Sequence, residues 1–399
     1  MVPAGEALTV GSTANVVKIV LLINTMGRGG AEMQVRDVAL RLARRQHEVS
    51  VISLLPFEEF EEELRAGGVR TATLGMSKGK ASGRALYGLV RLLRRIRADV
   101  VHAHMYSAII AARLARMVMG MTRPFRMAVP ALIGTSHATF EVSSLRYAAY
   151  RATDRFGDLW TCVSREGLEH HVEKGAVSRD RALVVPNGID IEAFEADDAL
   201  RHRVRAQFRL DDASFVWLSV GSFRDEAKDY GNLLRAFQRV CRTSSKARLL
   251  IAGEGILLDD KKLLARELGV AENVDFLGLR RDVDALMHAA DAFVLASAWE
   301  AMPVVLLEAA ASGLPAVTTD VGQTRDIVND DTGIVVPPRD DAALAEAMSR
   351  LMGLDARCRR ELGNAARNHV GRDFSLDRIV DVWEQQYERL AGRGTRQVA

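Results

Sequence analysis

Cysteine is scarce in this 399-residue chain, which has three such residues, Cys162, Cys241 and Cys358, far apart in the sequence. Because the number is odd and no Cys-x-x-Cys pair occurs, the sequence excludes a disulfide framework and a cysteine knuckle for zinc, and a reducing compartment fits best. Long apolar runs are missing too, and residues 1–15 contain Glu6 but no basic segment. We therefore expect no membrane-spanning helix, no secretory leader and a cytoplasmic protein.

An excess of charge of one sign is also missing, since 54 Lys and Arg residues face 52 Asp and Glu, for a net charge of +2. Residues 1–196 hold 26 basic and 20 acidic residues, or +6, and the remainder holds 28 and 32, or −4. Neither half has the strongly basic surface of a nucleic-acid-binding protein, so no nucleic-acid partner is expected. The mildly basic first half can instead contact an anionic substrate or an acidic membrane surface.

The remaining composition is ordinary for a globular protein, with 48% apolar and 27% charged residues, and it excludes disorder, collagen and a coiled coil. The length favours two domains of roughly 150 residues or more each. Short β-branched runs alternate with amphipathic helical patterns, which is typical of parallel sheets covered by helices on both faces. The strand candidates are 16–24, 48–54, 99–104, 131–137, 159–164 and 182–185, then 215–220, 247–252, 274–277, 292–297, 316–319 and 333–336. The sequence thus predicts an α/β protein with two doubly wound domains.

The predicted domain boundary follows the turn tripeptide Pro186-Asn187-Gly188, which precedes an acidic stretch at 190–198. We assign residues 1–195 to the first domain and 196–374 to the second. A last helix is predicted at 375–391, with Ser375 as its N-cap.

A glycine-rich loop, residues 27–32 (GRGGAE), joins the first predicted strand to a helical pattern. Glycines at such a junction let backbone N–H groups at a helix N-terminus approach an anion, so Gly29 and Gly30 are candidate phosphate ligands. The dinucleotide fingerprint fails, because Glu32 stands where its last glycine belongs. The alternative is that the glycines only permit a tight turn.

The most informative segment is 297–315 (SAWEAMPVVLLEAAASGLP). Pro303 suits the first position of a helix that ends near Gly313, which places Glu300 in the preceding loop and Glu308 in the second turn. The helix is apolar nearly all round and should be buried. A buried carboxylate needs hydrogen-bond donors, and a sugar or ribose diol offers two. The alternative is that Glu308 pairs with an arginine or with backbone amides.

Two further loops follow predicted strands of the second domain. In residues 221–230 (GSFRDEAKDY), Arg224 and Lys228 lie at the carboxyl end of a strand and suit a diphosphate clamp, or else form a solvated charged loop. A turn accounts for Gly253-Glu254-Gly255 on its own.

Other polar residues carry weaker signals. Residues 282–284 (DVD) look like a metal motif, but they begin an amphipathic helix in which Asp282 is a good N-cap, so no metal site is predicted. His102, His104 and His137 lie at strand ends, where a histidine can meet a ligand or serve the structure. We single out His137.

Together these residues resemble the family 4 (group 1) retaining glycosyltransferases, which have the GT-B fold of two Rossmann-like domains facing across a cleft. Matching pieces recur in order at 29–32, 99–104, 163–164, 185–190, 253–255, 276–278 and the Glu-x7-Glu pair at 300 and 308. The set is specific for the family, although no single piece is. The resemblance implies transfer of a sugar from a nucleotide-sugar donor with retention, without a metal or other cofactor. The donor would lie mainly in the second domain and the acceptor mainly in the first, on which the last helix would pack.

The resemblance also implies roles for individual residues. Glu308 resembles the glutamate that binds the donor ribose, and Glu300 the one that contacts the transferred sugar. Lys228 matches the diphosphate lysine, and His137 would face the sugar and the acceptor hydroxyl. Other donor contacts would come from backbone near the base, at Leu279, and near the phosphates and sugar, at Gly29, Gly30, Gly221, Gly253, Met302 and Val304.

The chain departs from the family pattern in two loops. Ser222 stands where members often carry an arginine, and the spacing from Gly221 to Lys228 is one residue longer, so Arg224 is taken as the substitute. Residues 322–326 (GQTRD) stand where members often show two glycines and a glutamate, although Asp326 keeps the acid.

From this resemblance we expect a hexosyl- or N-acetylhexosaminyltransferase that uses a UDP-sugar and a saccharide or lipid-linked acceptor in cell-envelope polysaccharide, lipopolysaccharide or glycoconjugate synthesis. The alternatives are a nucleotide-sugar epimerase of similar architecture, a sugar-binding scaffold and a nicotinamide-dependent oxidoreductase. The last of these lacks its glycine fingerprint.

Residues 84–97 form an amphipathic pattern with Arg84, Arg91 and Arg95 on the polar face. These arginines form either a solvated helix face or a weak peripheral contact with the anionic inner face of the plasma membrane.

Overall fold

The computed structural model describes residues 16–77, 82–122, 129–195, 197–211 and 213–396, with side chains up to residue 392. Within them, the first domain has a seven-stranded parallel sheet in the order β3-β2-β1-β4-β5-β6-β7. Its strands are β1 (Lys18–Ile23), β2 (Glu48–Ser53), β3 (Arg70–Thr73), β4 (Val100–His104), β5 (Ala131–Ser136), β6 (Leu159–Cys162) and β7 (Ala182–Val184). Its helices are α1 (Gly30–Arg44), α2 (Glu61–Ala66), α3 (Gly83–Ile96), α4 (Tyr106–Met121), α5 (Ser144–Thr153) and α6 (Arg165–Glu173).

The second domain has a six-stranded parallel sheet in the order β10-β9-β8-β11-β12-β13. Its strands are β8 (Phe215–Val220), β9 (Ala247–Ala252), β10 (Val274–Gly278), β11 (Ala292–Leu295), β12 (Ala316–Thr319) and β13 (Gly333–Val336). The helices that follow are α7 (Asp198–Gln207), α8 (Tyr230–Thr243), α9 (Leu258–Glu267), α10 (Val283–Ala289), α11 (Val304–Ala311), α12 (Thr324–Ile327), α13 (Asp341–Gly353), α14 (Ala356–Asp373) and α15 (Leu376–Arg396).

Each sheet has a hydrophobic cluster on both of its faces. In β1, Ile19, Leu21 and Ile23 belong to the cluster on the α1 side, and Val20 and Leu22 to the cluster on the α3 and α4 side. A central parallel strand buried on both faces reads as a continuous apolar run, which is why β1 could be located from sequence. The predicted class, two doubly wound α/β domains, is confirmed.

The twelve predicted strands are all present, with bounds that differ by at most two residues. The strand that the sequence analysis missed is β3. It lies at the edge of the first sheet, pairs with β2 alone, and has the half-exposed sequence RTAT. A short edge strand without apolar residues on both faces gives no buried-strand signal.

The chain crosses between the domains twice, and the two crossings lie side by side. The N–H of Ile189 donates to the backbone oxygen of Phe374 at 2.9 Å, and that of Leu376 donates to the backbone oxygen of Ile189 at 2.8 Å. After the second crossing, α15 packs on the first domain, where Trp383 and Tyr387 are buried. This helix begins one residue after the predicted cap Ser375 and continues to Arg396, beyond the predicted end.

No helix in the described part of the chain combines the length and the apolar character needed to cross a membrane.

Candidate active site

Loops at the carboxyl ends of strands from both sheets meet between the domains. Thr139, after β5, donates its hydroxyl to the backbone oxygen of Glu300, after β11, at 2.8 Å. Gly30, after β1, lies so close to α11 that an added Cβ would be 3.2 Å from Cγ2 of Val304. Doubly wound sheets bind ligands at this edge, so the cleft between these loops is the candidate site.

Helix α11 presents its N-terminus to this cleft. Pro303 was predicted at the first position of this helix and is instead its N-cap, one position earlier. The helix ends before Gly313, as expected. Within the described residues, the backbone N–H groups of Met302, Val304 and Val305 have no acceptor. Unpaired N–H groups at a helix N-terminus attract an anion. The side chain of Met302 faces the domain crossing instead, where its sulfur accepts from the N–H of Asn187 at 3.1 Å.

Glu308, in the second turn of α11, is 7% exposed. None of the described residues donates a hydrogen bond to its carboxylate or forms an ion pair with it. The nearest arginine of the facing domain, Arg36, pairs with Asp37 at 2.6 Å instead. Burial, assisted by the charge of Asp37 and opposed by that of Arg36, raises the pKa of Glu308 to about 7. The alternative, in which Glu308 pairs with an arginine or with backbone amides, is therefore not supported among the described residues.

Lys228 and Glu300 form an ion pair. Nζ of Lys228 donates to Oε1 of Glu300 at 2.5 Å, and the hydroxyl of Ser297 donates to the same oxygen at 2.8 Å. The other carboxylate oxygen, Oε2, has no partner in the described part. An added Cβ at Gly221 would be 2.7 Å from Cε of Lys228, so the glycine at 221 lets the lysine stem lie against the strand end.

In the loop between Gly221 and Lys228, Phe223 is fully buried. Its ring stacks on Tyr230 with a centroid distance of 4.1 Å, and the next residue, Arg224, is exposed. Gly253, with φ +152°, packs on the same loop, because an added Cβ would be 1.9 Å from the backbone oxygen of Gly221. Gly253 therefore supports the 221 loop through backbone contact.

The glycine loop holds a carboxylate that the sequence analysis did not assign to the site. Gly29 is the N-cap of α1, and an added Cβ there would be 2.3 Å from Oε2 of Glu32. Burial raises the pKa of Glu32, while its own backbone N–H and Arg224 of the facing domain lower it. A carboxylate thus lies at the helix N-terminus where a phosphate was predicted. An acidic residue in the first turn is a signal that could have indicated this contact.

Three histidine rings lie side by side at the ends of β4 and β5. The centroids of His102 and His104 are 4.0 Å apart, and those of His104 and His137 are 5.4 Å apart. Nδ1 of His104 is 3.1 Å from Nε2 of His137. His137 is two residues from Thr139, so the contact of that threonine with Glu300 brings His137 to the cleft. Sequence spacing did not indicate the direct pairing of two histidines.

The loop after β10 carries the predicted base-side residue and a bridge between the domains. Leu279 is 51% exposed there. Arg281 donates to Glu59 of the first domain at 2.8 Å. Asp282 precedes α10 as predicted, but its side chain does not cap the helix, because Arg280 binds both carboxylate oxygens at 2.9 and 2.7 Å. The predicted capping contact is therefore wrong, since the carboxylate pairs with Arg280 and accepts from no backbone N–H of the helix.

A groove of about 500 Å³ lies between α6 and the loop after β12. An added Cβ on Gly322 in this loop would be 2.1 Å from the backbone oxygen of Glu300, so one end of the groove adjoins the site. Asp326 lies in the groove, facing acidic residues of α6. The groove is lined by Arg165, Glu166, Glu169, His170, Glu173, Gly322, Gln323 and Asp326.

Two family models match the chain, "Glycosyltransferase Family 4" over residues 28–193 and "Glycosyl transferases group 1" over residues 201–369. A UDP-Gal:alpha-D-GlcNAc-diphosphoundecaprenol alpha-1,3-galactosyltransferase of Escherichia coli is 25% identical over 315 residues, which are 76% of this chain and 79% of that protein. Glycogen synthase of Mycobacterium tuberculosis is 36% identical over 45% of this chain, which spans only 44% of that relative.

Among solved structures, Anabaena HepE in complex with UDP and glucose superposes with a TM-score of 0.81 at 19% identity, over 93% of this chain and 99% of that one. At this identity the likeness shows the fold, which is GT-B. The two family models match consecutive halves of the chain in order and together span most of it. The chain therefore belongs to the family 4 (group 1) glycosyltransferases.

Proposed function

We propose that this protein transfers a hexosyl or N-acetylhexosaminyl group, with retention, from a UDP-sugar to a saccharide or lipid-linked acceptor. The observation that carries the proposal is Glu308, a carboxylate buried at the cleft without a donor among the described residues. An ionised carboxylate in such a place is costly unless donors reach it. The two hydroxyls of a ribose are donors that a nucleotide sugar would bring.

The proposed leaving group is the nucleoside diphosphate, which we expect beside Lys228, Arg224 and the N-terminus of α11. As the bond to the anomeric carbon breaks, negative charge grows on the phosphate oxygen. Lys228, Arg224 and the unpaired N–H groups that begin α11 would stabilise this charge as preorganised donors, without a metal or other cofactor. Oε2 of Glu300 has no protein partner and would accept from a hydroxyl of the transferred sugar.

Retention is proposed to occur on one face of the sugar. A double displacement needs a carboxylate nucleophile, with two carboxyl groups about 5 Å apart across the scissile bond. Oε1 of Glu300 is already bonded by Lys228 and Ser297, which reduces its nucleophilicity, and Glu308 lies within the buried helix. We therefore favour a transfer in which the departing phosphate accepts the proton of the acceptor hydroxyl.

The names of the relatives support the choice of donor and acceptor. The Escherichia coli relative is named for UDP-Gal and a diphosphoundecaprenol-linked acceptor, and the Anabaena structure contains UDP. We propose that this chain acts likewise in cell-envelope polysaccharide, lipopolysaccharide or glycoconjugate synthesis, on the cytoplasmic side of the membrane. The exposed arginines of α3 would provide weak peripheral contact with anionic lipid.

A panel of UDP-, GDP- and ADP-sugars in a thermal-shift assay tests the proposal first. A ligand at 100 times its dissociation constant stabilises the folded state by about 2.7 kcal/mol. The best donor is then incubated alone and with acceptors, and the products are followed by proton NMR.

Release or transfer of a sugar with the donor's anomeric configuration is expected. The inverted configuration would contradict retention. Conversion of the donor into an isomeric nucleotide sugar without acceptor would favour the epimerase. No stabilisation by any nucleotide sugar would contradict the proposed donor class.

A further inference from the structure

The pair of His104 and His137 constrains where the protons of both rings lie. Burial lowers the pKa of His137 to about 4, and burial together with the two neighbouring histidines keeps the pKa of His104 well below its ordinary value. Both rings are therefore neutral near physiological pH, and each carries one N–H. The 3.1 Å contact between Nδ1 of His104 and Nε2 of His137 holds one proton.

Two arrangements satisfy this contact. In the first, His104 donates from Nδ1, and His137 carries its own proton on Nδ1. In the second, His137 donates from Nε2, and His104 carries its proton on Nε2. The two arrangements give His137 opposite roles, because its free Nδ1 is a donor in the first and an acceptor in the second.

Nε2 of His104 distinguishes the arrangements. This atom is buried and has no partner among the described residues. The second arrangement would bury an unpaired N–H there, whereas the first would bury only an unused lone pair. Orphaned N–H groups are rarer in protein interiors than orphaned acceptors, so the first arrangement is favoured.

The ring of His104 is held in place from its other side. It lies against the tilted ring of His102, whose Nδ1 is 2.7 Å from the hydroxyl of Tyr387 and whose Nε2 is 2.6 Å from that of Thr135. Both nitrogens of His102 thus have partners, and His102 competes for neither nitrogen of His104. His102, which is held by Thr135 and by Tyr387 of α15, therefore packs against His104 from that side.

We infer that His104 is a positioning residue that holds His137 as the Nδ1–H tautomer, so that His137 meets the reacting sugars as a hydrogen-bond donor and not as a base. Nδ1 of His137 bonds no described residue, and the side chain of His137 is partly exposed. The inference rests on the proposed function for the identity of the ligand. The acceptor proton must then move to the departing phosphate as the new glycosidic bond forms and the bond to phosphate breaks.

Nitrogen NMR tests the tautomers directly. Long-range proton–nitrogen correlation spectra of the full chain with 15N-labelled histidine distinguish protonated from unprotonated ring nitrogens. Loss of signals in His104→Phe and His137→Gln assigns the two rings. We expect both rings to be protonated at Nδ1 and unprotonated at Nε2 near neutral pH. A His137 ring protonated at Nε2 would overturn the inference.

Kinetics give a second readout. His104→Phe keeps an aromatic ring without the hydrogen bond and is expected to lower kcat about tenfold, with the donor KM changed less than about twofold. His104→Asn keeps an amide donor near the place of Nδ1 and should restore most of the loss. Unchanged kcat in His104→Phe would contradict the inference, and if that variant does not fold, the spectrum of the unmodified chain decides. Because the spectra need no turnover, an expected spectrum without transferase activity would refute only the proposed function.

Discussion

Replacing Glu308 by glutamine is expected to stabilise the protein while weakening donor binding. Burial raises the pKa of Glu308 to about 7 from its ordinary 4.5, which corresponds to a penalty of about 3 kcal/mol on the ionised form. Since the pKa of Glu308 is higher in the folded state than in the unfolded state, its ionisation lowers the free energy of unfolding as pH rises. The protein is therefore more stable below pH 4.5, where Glu308 is protonated in both states, than above pH 7, where it is ionised in both. At higher pH, Glu308→Gln removes the penalty but buries an unpaired amide, which costs about 1 kcal/mol or more. A net gain of about 1–2 kcal/mol would raise Tm by several degrees.

Donor binding should change in the opposite direction. An ionised carboxylate accepts charge-assisted hydrogen bonds from a ribose diol, and losing them costs about 1.5–3 kcal/mol, or about 10- to 150-fold in Kd. Glu308→Ala removes the acceptor altogether and should weaken binding at least as much. Because the bound donor requires the ionised form, the unmodified protein should release about half a proton on binding at a pH equal to this pKa.

Isothermal titration calorimetry with a UDP-sugar, in buffers of different ionisation heat and at several pH values, measures both affinity and proton release. Glu346→Gln on the exposed face of α13 is the matched control and should alter neither Tm nor Kd. Unchanged donor affinity in both Glu308 variants would refute the ribose assignment. Weaker binding with no proton release in the unmodified protein would refute the electrostatic account of this carboxylate.

Four other outcomes are expected. Lys228→Ala should raise the activation free energy by about 3 kcal/mol, which lowers kcat about 150-fold, and should change the donor Kd less. Equal effects on the rate in rapid-quench assays and on the affinity in binding assays would mean that Lys228 binds the donor in the ground state only. Arg224→Ala should weaken donor binding in the same titration, and a silent variant would mean that another residue completes the clamp. Activity should survive EDTA, because Arg280 already binds the carboxylate of Asp282; loss on chelation with recovery in Mn²⁺ or Mg²⁺ would revive the metal motif. The unmodified protein should sediment with anionic vesicles at low salt but not at high salt. A variant with the exposed charges of α3 reversed, Arg84→Glu/Arg91→Glu/Arg95→Glu, should not sediment at either salt concentration. Equal sedimentation of both proteins under all conditions would show that this helix does not bind the membrane.

The sequence indicated elements whose burial is visible in their own residues. The run in β1 is apolar on both faces and was located from that pattern alone, as were the ends of α11 from Pro303 and Gly313. The edge strand β3 was missed because its residues are half exposed, and its position is set by pairing with β2. A local sequence pattern predicts a helix or strand when the residues of that element themselves show which of its faces are buried.

The candidate site divides in the same way. Glu308, Lys228 and Glu300 were singled out by residue type and by position relative to strands and helices. The contact of Lys228 with Glu300 joins residues 72 positions apart, and that of His104 with His137 joins residues 33 positions apart. The sequence carries no signal for such pairs, because they depend on how strands β4 and β5, or β8 and β11, lie beside each other in the sheets. The burial of Phe223 beside the exposed Arg224 was likewise not visible from loop length.

Glu308 also shows why one violation of a local pattern was informative. It is the single charged residue of α11, whose other seven residues are apolar. An internal ion pair would have removed the conflict, yet Arg36 bonds Asp37 and leaves the carboxylate without a donor. Natural sequences depart from consistency between pattern and packing mainly at functional sites, where a ligand supplies what the fold omits. The missing donor is therefore better explained by a substrate hydroxyl than by a defect of packing, and the opposite signs expected for stability and donor affinity in Glu308→Gln follow from that difference.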